Sequence, residues 1–113
     1  MKSIQTILSN FYSKLIEIEN LDVYHFERPE EQGPPYAVWQ EEGEKNAFSA
    51  NNRKEEQTIE GTLDFFTQTE FDPLVDDIQD TLNSIENCSW NLDSVQYEDN
   101  TKLIHYTWSW ELN

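Results

Sequence analysis

The stretch that decides the fold runs from Thr58 to Leu82 and reads TIEGTLDFFTQTEFDPLVDDIQDTL. In its first half, polar residues alternate with the residues of a predicted apolar face, which are Ile59, Gly61, Leu63 and Phe65. This period of two predicts an antiparallel strand that is buried on one face and open on the other. Because Gly61 falls on the apolar face, we expect a helix or another backbone to approach closely there.

The second half of the stretch predicts an amphipathic helix. Asp72 is a good helix cap and Pro73 suits the first helical position. Asp76 and Asp77 follow near the positive end of the helix dipole. Apolar residues recur at helical spacing, at Leu74, Val75, Ile78, Leu82 and Ile85.

The flanking sequence supplies a second helix and more strands. An apolar stripe from Ile4 to Ile18, with Ser3 placed to cap it, predicts a helix over about residues 3–19. The segment DVYHFE at 22–27 predicts a short strand. Two more strands are predicted over Tyr36–Glu41 and Asn46–Ala50, on either side of the acidic segment EEGEK.

The C-terminal segment from Trp90 to Leu112 predicts a β-hairpin that turns at Asp99–Asn100. If that turn has two residues, Val95 lies opposite Ile104. The final strand places Tyr106, Trp108 and Trp110 on one face, where burial beneath the helices is the favoured interpretation.

These elements predict an α+β fold, with a mainly antiparallel β-sheet and two α-helices packed on one face. A chain of 113 residues fits a single domain over residues 1–113. The helices cover one sheet face, which leaves the other to solvent or to a partner.

Charge narrows the classes of partner. The net charge is −16, from 23 acidic and 7 basic residues, so phosphate backbones and acidic membranes are repelled. We therefore expect no sequence-specific nucleic-acid binding and no membrane binding. No apolar run approaches the length needed to cross a bilayer, so we also expect no membrane-spanning segment. A lone cysteine, Cys88, leaves no internal disulfide and favours a reducing compartment, with the cytoplasm as the default.

Few residues are arranged for chemistry. His25 and His105 lie on predicted strands without ligand-like neighbours and are interpreted as ordinary strand histidines. Cys88 lacks a C-x-x-C partner and is interpreted as a small core residue. The acids of the second helix are interpreted as a solvated face. We predict no catalytic, metal or cofactor-binding residues, no cofactor, and a protein that is not an enzyme.

The order of elements resembles the tail terminator (tail-completion) proteins of long-tailed bacteriophages, often found in prophages of Gram-positive bacteria. The similarity spans nearly the whole chain. Its most telling parts are Pro35, Tyr36 and Glu41 in the first hairpin strand, Asn51 at the hairpin tip, and the passage from Phe65 to Pro73 into the second helix.

The resemblance implies a structural virion assembly protein without enzymatic activity. Such proteins form a hexameric ring that caps the tail tube and offers a head–tail joining surface. The implied partners are copies of the same chain, the major tail tube protein and the head–tail connector protein. The isolated chain is expected to be a monomer. The implied location is the virion tail at the head–tail interface, and the host cytoplasm during assembly.

The hairpin from Tyr36 to Ala50 would then contact a neighbouring subunit or the tube. Trp39 and Phe48 are candidate apolar anchors, although local core packing is an equally good interpretation from the residues alone. The expected interface residues are Tyr36, Trp39, Glu41, Phe48, Asn51, Asn52 and Arg53.

Two other classes of function stay open. The charge density also suits an acidic DNA-mimic inhibitor that neutralises the basic cleft of a DNA-binding enzyme. A small hydrolase that uses carboxylates is the second alternative.

Overall fold

The computed structural model describes residues 3–45 and 56–113. Within these ranges, two helices accompany five strands. The helices are α1 (Ile4–Leu15) and α2 (Leu74–Ser84), and the strands are β1 (Asp22–His25), β2 (Tyr36–Glu44), β3 (Ile59–Thr67), β4 (Cys88–Glu98) and β5 (Leu103–Leu112). The predicted α+β class is confirmed. The strand predicted over Asn46–Ala50 lies outside the described residues.

The strands form one sheet in the order β1-β2-β3-β5-β4. β1 pairs with β2 in parallel, whereas the other three pairings are antiparallel. The sheet is therefore mainly antiparallel, as predicted. Among the described strands, β1 and β4 form its two edges.

β3 follows the alternation that its sequence predicts. Ile59, Leu63 and Phe65 are buried, and the residues between them are more exposed. A Cβ atom built on Gly61 would overlap both the carbonyl oxygen of Gln40 on β2 and the indole ring of Trp110 on β5. The predicted close approach of another backbone at Gly61 is thus confirmed.

α2 begins where the sequence predicts. The Asp72 carboxylate accepts the backbone N–H of Leu74 at 2.9 Å and the Thr67 hydroxyl at 2.6 Å, so it caps the helix and ties it to the end of β3. Pro73 follows in the helical region of backbone space. The helix buries Leu74, Ile78 and Leu82 against the sheet.

α1 is shorter than predicted. It ends at Leu15, not near residue 19, because the chain must turn back into β1 at Asp22. The amides of Glu17 and Ile18 bond to carbonyls three residues earlier, and Asn20 adopts a positive φ of 66°. Ile18 is nevertheless buried, so the apolar stripe continues after the helix itself has ended.

Both helices pack on the same face of the sheet. The Phe11 ring of α1 lies 4.6 Å from the Trp110 ring of β5 and 5.3 Å from the Trp39 ring of β2, between ring centroids. Trp108 and Trp110 are fully buried, as predicted for the final strand, whereas Tyr106 is only partly buried. The layered arrangement inferred from the sequence is therefore the observed one.

The C-terminal hairpin corrects the predicted register. Its connection has four residues, Asp99 to Lys102, because Glu98 and Leu103 form the last strand pair. Lys102 adopts a positive φ of 63° and donates its N–H to the Glu98 carbonyl at 2.8 Å, which closes the wider turn. Val95 consequently lies opposite Tyr106, and Ile104 lies opposite Tyr97.

Candidate interaction surface

Two of the expected interface residues are buried. Trp39 is 1% exposed and packs between α1 and the sheet, so its side chain belongs to the core and cannot serve as a surface anchor in this fold. Tyr36 is 5% exposed, because the Arg28 guanidinium covers its ring at 4.8 Å and the Phe66 ring stacks on it at 4.9 Å. Of the two interpretations of Trp39, local core packing is the correct one.

Glu41 lies at a partly exposed position. Its carboxylate hydrogen-bonds the His25 ring at 2.6 Å, and that ring stacks between Trp39 and Phe26, with 3.9 Å between centroids on each side. Glu41 therefore orients a histidine at the edge of the aromatic core. The remaining expected interface residues, Phe48, Asn51, Asn52 and Arg53, lie outside the described residues.

The open face of the sheet carries a polar network around His105. The His105 ring nitrogen Nε2 lies 2.8 Å from an Asp64 oxygen and 3.2 Å from the Thr107 hydroxyl, which itself donates to the same Asp64 oxygen at 2.8 Å. A nucleophilic triad requires the acid and the hydroxyl on opposite ring nitrogens of the histidine. Here both approach the same nitrogen, so the network orients side chains on the sheet surface without forming a triad.

The other candidate reactive groups are the Cys88 thiol and the acids of α2. Burial raises the pKa of the Cys88 thiol from 9.0 to about 11, which suppresses the nucleophilic thiolate. Asp76, Asp77 and Asp80 point to solvent from α2. In residues 3–45 and 56–113, no group of three histidine, cysteine or acidic side chains is arranged to hold a metal ion.

Exposed apolar side chains gather instead on β4. Leu92, Val95 and Tyr97 are 38%, 52% and 57% exposed, although their side chains point to the same sheet face as the helices. A bulge at Asp93 lets Leu92 and Val95 share that face. With Ile104, which lies opposite Tyr97 on β5, they form what we call the β4 patch.

The β4 patch is exposed because the helices cover only part of the sheet. Helix contacts with β4 include a hydrogen bond from the Trp90 indole to Asn83 at 2.9 Å, near the start of the strand. The far end of the hairpin, from Val95 to Tyr106, extends beyond this contact. β4 is also an edge strand, and no described strand pairs with its outer side. Apolar side chains and unpaired backbone groups therefore occur together.

A further exposed aromatic lies at the same end of the molecule. Phe71 is 89% exposed and adopts a positive φ of 57° in the loop that joins β3 to α2. The Gln68 amide of this loop donates to the Thr101 carbonyl in the β4–β5 turn at 3.2 Å, so the loop and the turn are held together. The acids Glu70, Glu98 and Asp99 are exposed around this end of the sheet.

The β4 patch was not among the residues predicted from the sequence, although one of its strands has a recognisable pattern. The run SVQYE alternates Val95 and Tyr97 with polar residues, which is typical of a half-buried strand. Only the strand order shows that this half-buried strand is an edge that the helices leave open.

Comparison with known proteins adds no assignment. No family model matches the sequence, and no curated protein matches it at a significant level. Neither α1 nor α2 has the length and apolar character of a bilayer-spanning helix, and the same holds for the rest of the described chain.

Proposed function

We propose that this chain is a structural subunit of a phage tail, which caps the tail tube as a ring and provides the joining surface for the head. The observation that carries the proposal is the β4 patch, an exposed apolar strip on a sheet edge. Apolar side chains beside unpaired backbone groups suit a protein partner better than a small molecule. An assembly subunit requires such surfaces and no reaction centre.

The resemblance to tail terminator proteins supports the same proposal. Two of its telling parts have structural roles here: the passage from Phe65 to Pro73 contains the Asp72 cap, and Tyr36 lies beneath Arg28. These residues stabilise the subunit. Contacts between subunits would then depend on the exposed surfaces, of which the β4 patch is the candidate.

Charge sets the conditions for assembly. Six subunits of net charge −16 repel one another, so ring closure should require screening by salt or the presence of a tube end. A negative surface would also keep a DNA-conducting lumen from binding phosphates. The isolated chain is expected to be a monomer at low ionic strength.

The proposal is tested by sedimentation velocity between about 20 mM and about 500 mM salt, where the screening length falls several-fold. The series is repeated with tail tubes from the phage that encodes the chain, and tube ends are examined by electron microscopy. We expect a ring-sized species at high salt or on tube ends. A chain that stays monomeric throughout, even with tubes, contradicts the proposal.

A variant tests the role of the β4 patch. Val95→Asp with Tyr97→Asp adds two negative charges on the patch, and Gln5→Asp with Ser9→Asp adds the same charge on the exposed face of α1. We expect only the first pair to prevent assembly, because an interface core tolerates charge poorly. Equal loss in both pairs would mean that net charge alone is responsible.

A further inference from the structure

The β4 patch has a chemical counterpart within the same sequence. We propose that the patch of one copy binds the segment between β2 and β3, residues 46–55, of a second copy. This inference rests on the proposed function, since it requires the chain to assemble with itself. It goes further in naming the two surfaces that meet.

The composition of the segment fits the patch. Residues 46–55 read NAFSANNRKE, with one aromatic residue, Phe48, and two adjacent bases, Arg53 and Lys54. From Asn46 to Lys54 there is no acidic residue, although the whole chain has 23. An apolar and basic segment is therefore present in an otherwise acidic protein.

The surroundings of the patch have the complementary charge. Glu98 and Asp99 follow Tyr97 directly in the chain, and Glu70 precedes the exposed Phe71. Lys102 is the base in the same turn. No ion pair within residues 3–45 and 56–113 neutralises these three acids. The patch thus offers apolar contact area flanked by carboxylates that can pair with arginine and lysine.

Chain length prevents the segment from reaching the Tyr97 end of the patch in its own copy. The segment leaves the sheet beyond the pair of Glu44 with Ile59, whereas Tyr97 is level with Thr67 through Ile104. The eight residue steps from Ile59 to Thr67 span about 27 Å. Ten residues fixed at both ends can reach at most about 19 Å. A segment that binds beside Tyr97, Glu98 and Asp99 must therefore come from another copy.

A contact between two different surfaces is heterologous. Glu44 and Ile59, the last strand pair before the segment, lie at one end of the sheet and Tyr97 lies at the other, so a contact between segment and patch would join successive copies head to tail. Such contacts produce closed rings when the rotation between copies closes. Salt at physiological strength screens charges beyond about 8 Å, which weakens the repulsion between whole subunits more than the pairing of charges in contact.

Charge reversal separates local pairing from net repulsion. Glu98→Lys with Asp99→Lys makes the chain less negative, so it should promote assembly if only net charge matters. We expect the opposite, a loss of about tenfold or more in self-association, because the lysines would face Arg53 and Lys54. The matched control is Glu17→Lys with Glu19→Lys, which changes the net charge equally at exposed positions after α1.

Complementary reversal provides the rescue. Arg53→Glu with Lys54→Glu should weaken self-association by a similar factor. Combining these changes with Glu98→Lys and Asp99→Lys in one chain should restore assembly to within about threefold of the original, because the pairing is re-formed with exchanged signs. Circular dichroism of each variant checks that the fold is retained.

Disulfide trapping tests the contact directly. In a Cys88→Ser background, chains with Asn52→Cys are mixed with chains carrying Asp99→Cys and oxidised under assembly conditions. We expect a covalent dimer of the two populations. Ser9→Cys, on the exposed face of α1, replaces Asp99→Cys in the control and should give little dimer.

The outcomes distinguish the two proposals. If the unmodified chain assembles but neither charge reversal nor trapping has the expected effect, the docking is wrong and the proposed function stands. If patch variants lose only the binding of tail tubes, the occupant is a different protein and the docking is again wrong. If no assembly forms at any salt or with tubes, both proposals fail.

Discussion

Gly61 of β3 lies against the Gln40 carbonyl of β2 and the Trp110 ring of β5. Gly61→Ala would place a methyl group against the Gln40 carbonyl and that indole, so we expect the free energy of unfolding to fall by about 3 kcal/mol. Urea denaturation followed by tryptophan fluorescence measures the change. Gly43→Ala is the matched control, because a Cβ there meets nothing within 4 Å and should change stability by under about 0.5 kcal/mol. Equal effects would contradict the packing at Gly61.

Cys88 provides a second prediction at the residue scale. Because burial raises its pKa from 9.0 to about 11, the thiolate fraction at pH 8 should be about a hundredfold lower than for an ordinary thiol. Alkylation by iodoacetamide at pH 8 should therefore be correspondingly slower in the folded chain than in urea. Since the folded-state pKa is the higher one, the associated stability is complete below pH 9 and is lost as the pH rises towards 11. Equal alkylation rates in the two states would show that the thiol is not shielded.

At the scale of elements, the junction of β3 with α2 depends on one carboxylate. Asp72→Ala removes the helix cap and leaves the buried Thr67 hydroxyl without its acceptor, so we expect a loss of about 2–3 kcal/mol in thermal or urea unfolding. Asp72→Asn keeps an oxygen for the Leu74 amide and should lose less than half of that amount. If the asparagine variant is as unstable as the alanine variant, capping is not the cause.

Local chemistry explains which elements could be predicted. The alternation around Leu63 and the Asp72–Pro73 pair determine β3 and the start of α2 within a few residues of sequence, and both appear as predicted. The predicted end of α1 was wrong because the helix end depends on the turn into β1, where Asn20 takes a left-handed conformation. The hairpin register was not fixed either, since the turn length is set by Lys102 closing onto Glu98.

At the scale of the whole molecule, repulsion among the acidic side chains destabilises the folded chain. Salt should screen the repulsion of a −16 chain and raise the melting temperature, by about 5 °C between about 20 mM and about 500 mM salt. The measurement is thermal unfolding by circular dichroism, at a protein concentration where the chain is monomeric. The same series at about pH 5, nearer the sequence pI of about 4.1, is the control and should show a smaller rise. A melting temperature that is independent of salt at pH 7 would contradict the prediction.

The β4 patch depends on the arrangement of the whole sheet, which is why it was not predicted from the sequence. A period of two places Trp39 on one face with Ala37, but only the position of α1 shows that this face is covered. The same period in Val95 and Tyr97 describes a strand whose neighbours are fixed by pairings with residues far away in sequence. Burial of one aromatic and exposure of the other follow from strand order, which is a property of the complete sheet.

The insertion of β5 between β3 and β4 has a kinetic consequence. The β4–β5 hairpin can form from neighbouring residues, whereas the pairing of Phe65 with Tyr106 must close a loop of about forty residues. We expect the hairpin to form early and its docking onto β3 to limit the rate of refolding, in milliseconds or longer. Stopped-flow fluorescence of the buried tryptophans would reveal that step, and complete refolding within microseconds would contradict it. Until the hairpin docks onto β3, the aromatic faces of both parts of the sheet are exposed to water. Because such faces can associate between chains, a low protein concentration should favour a high refolding yield.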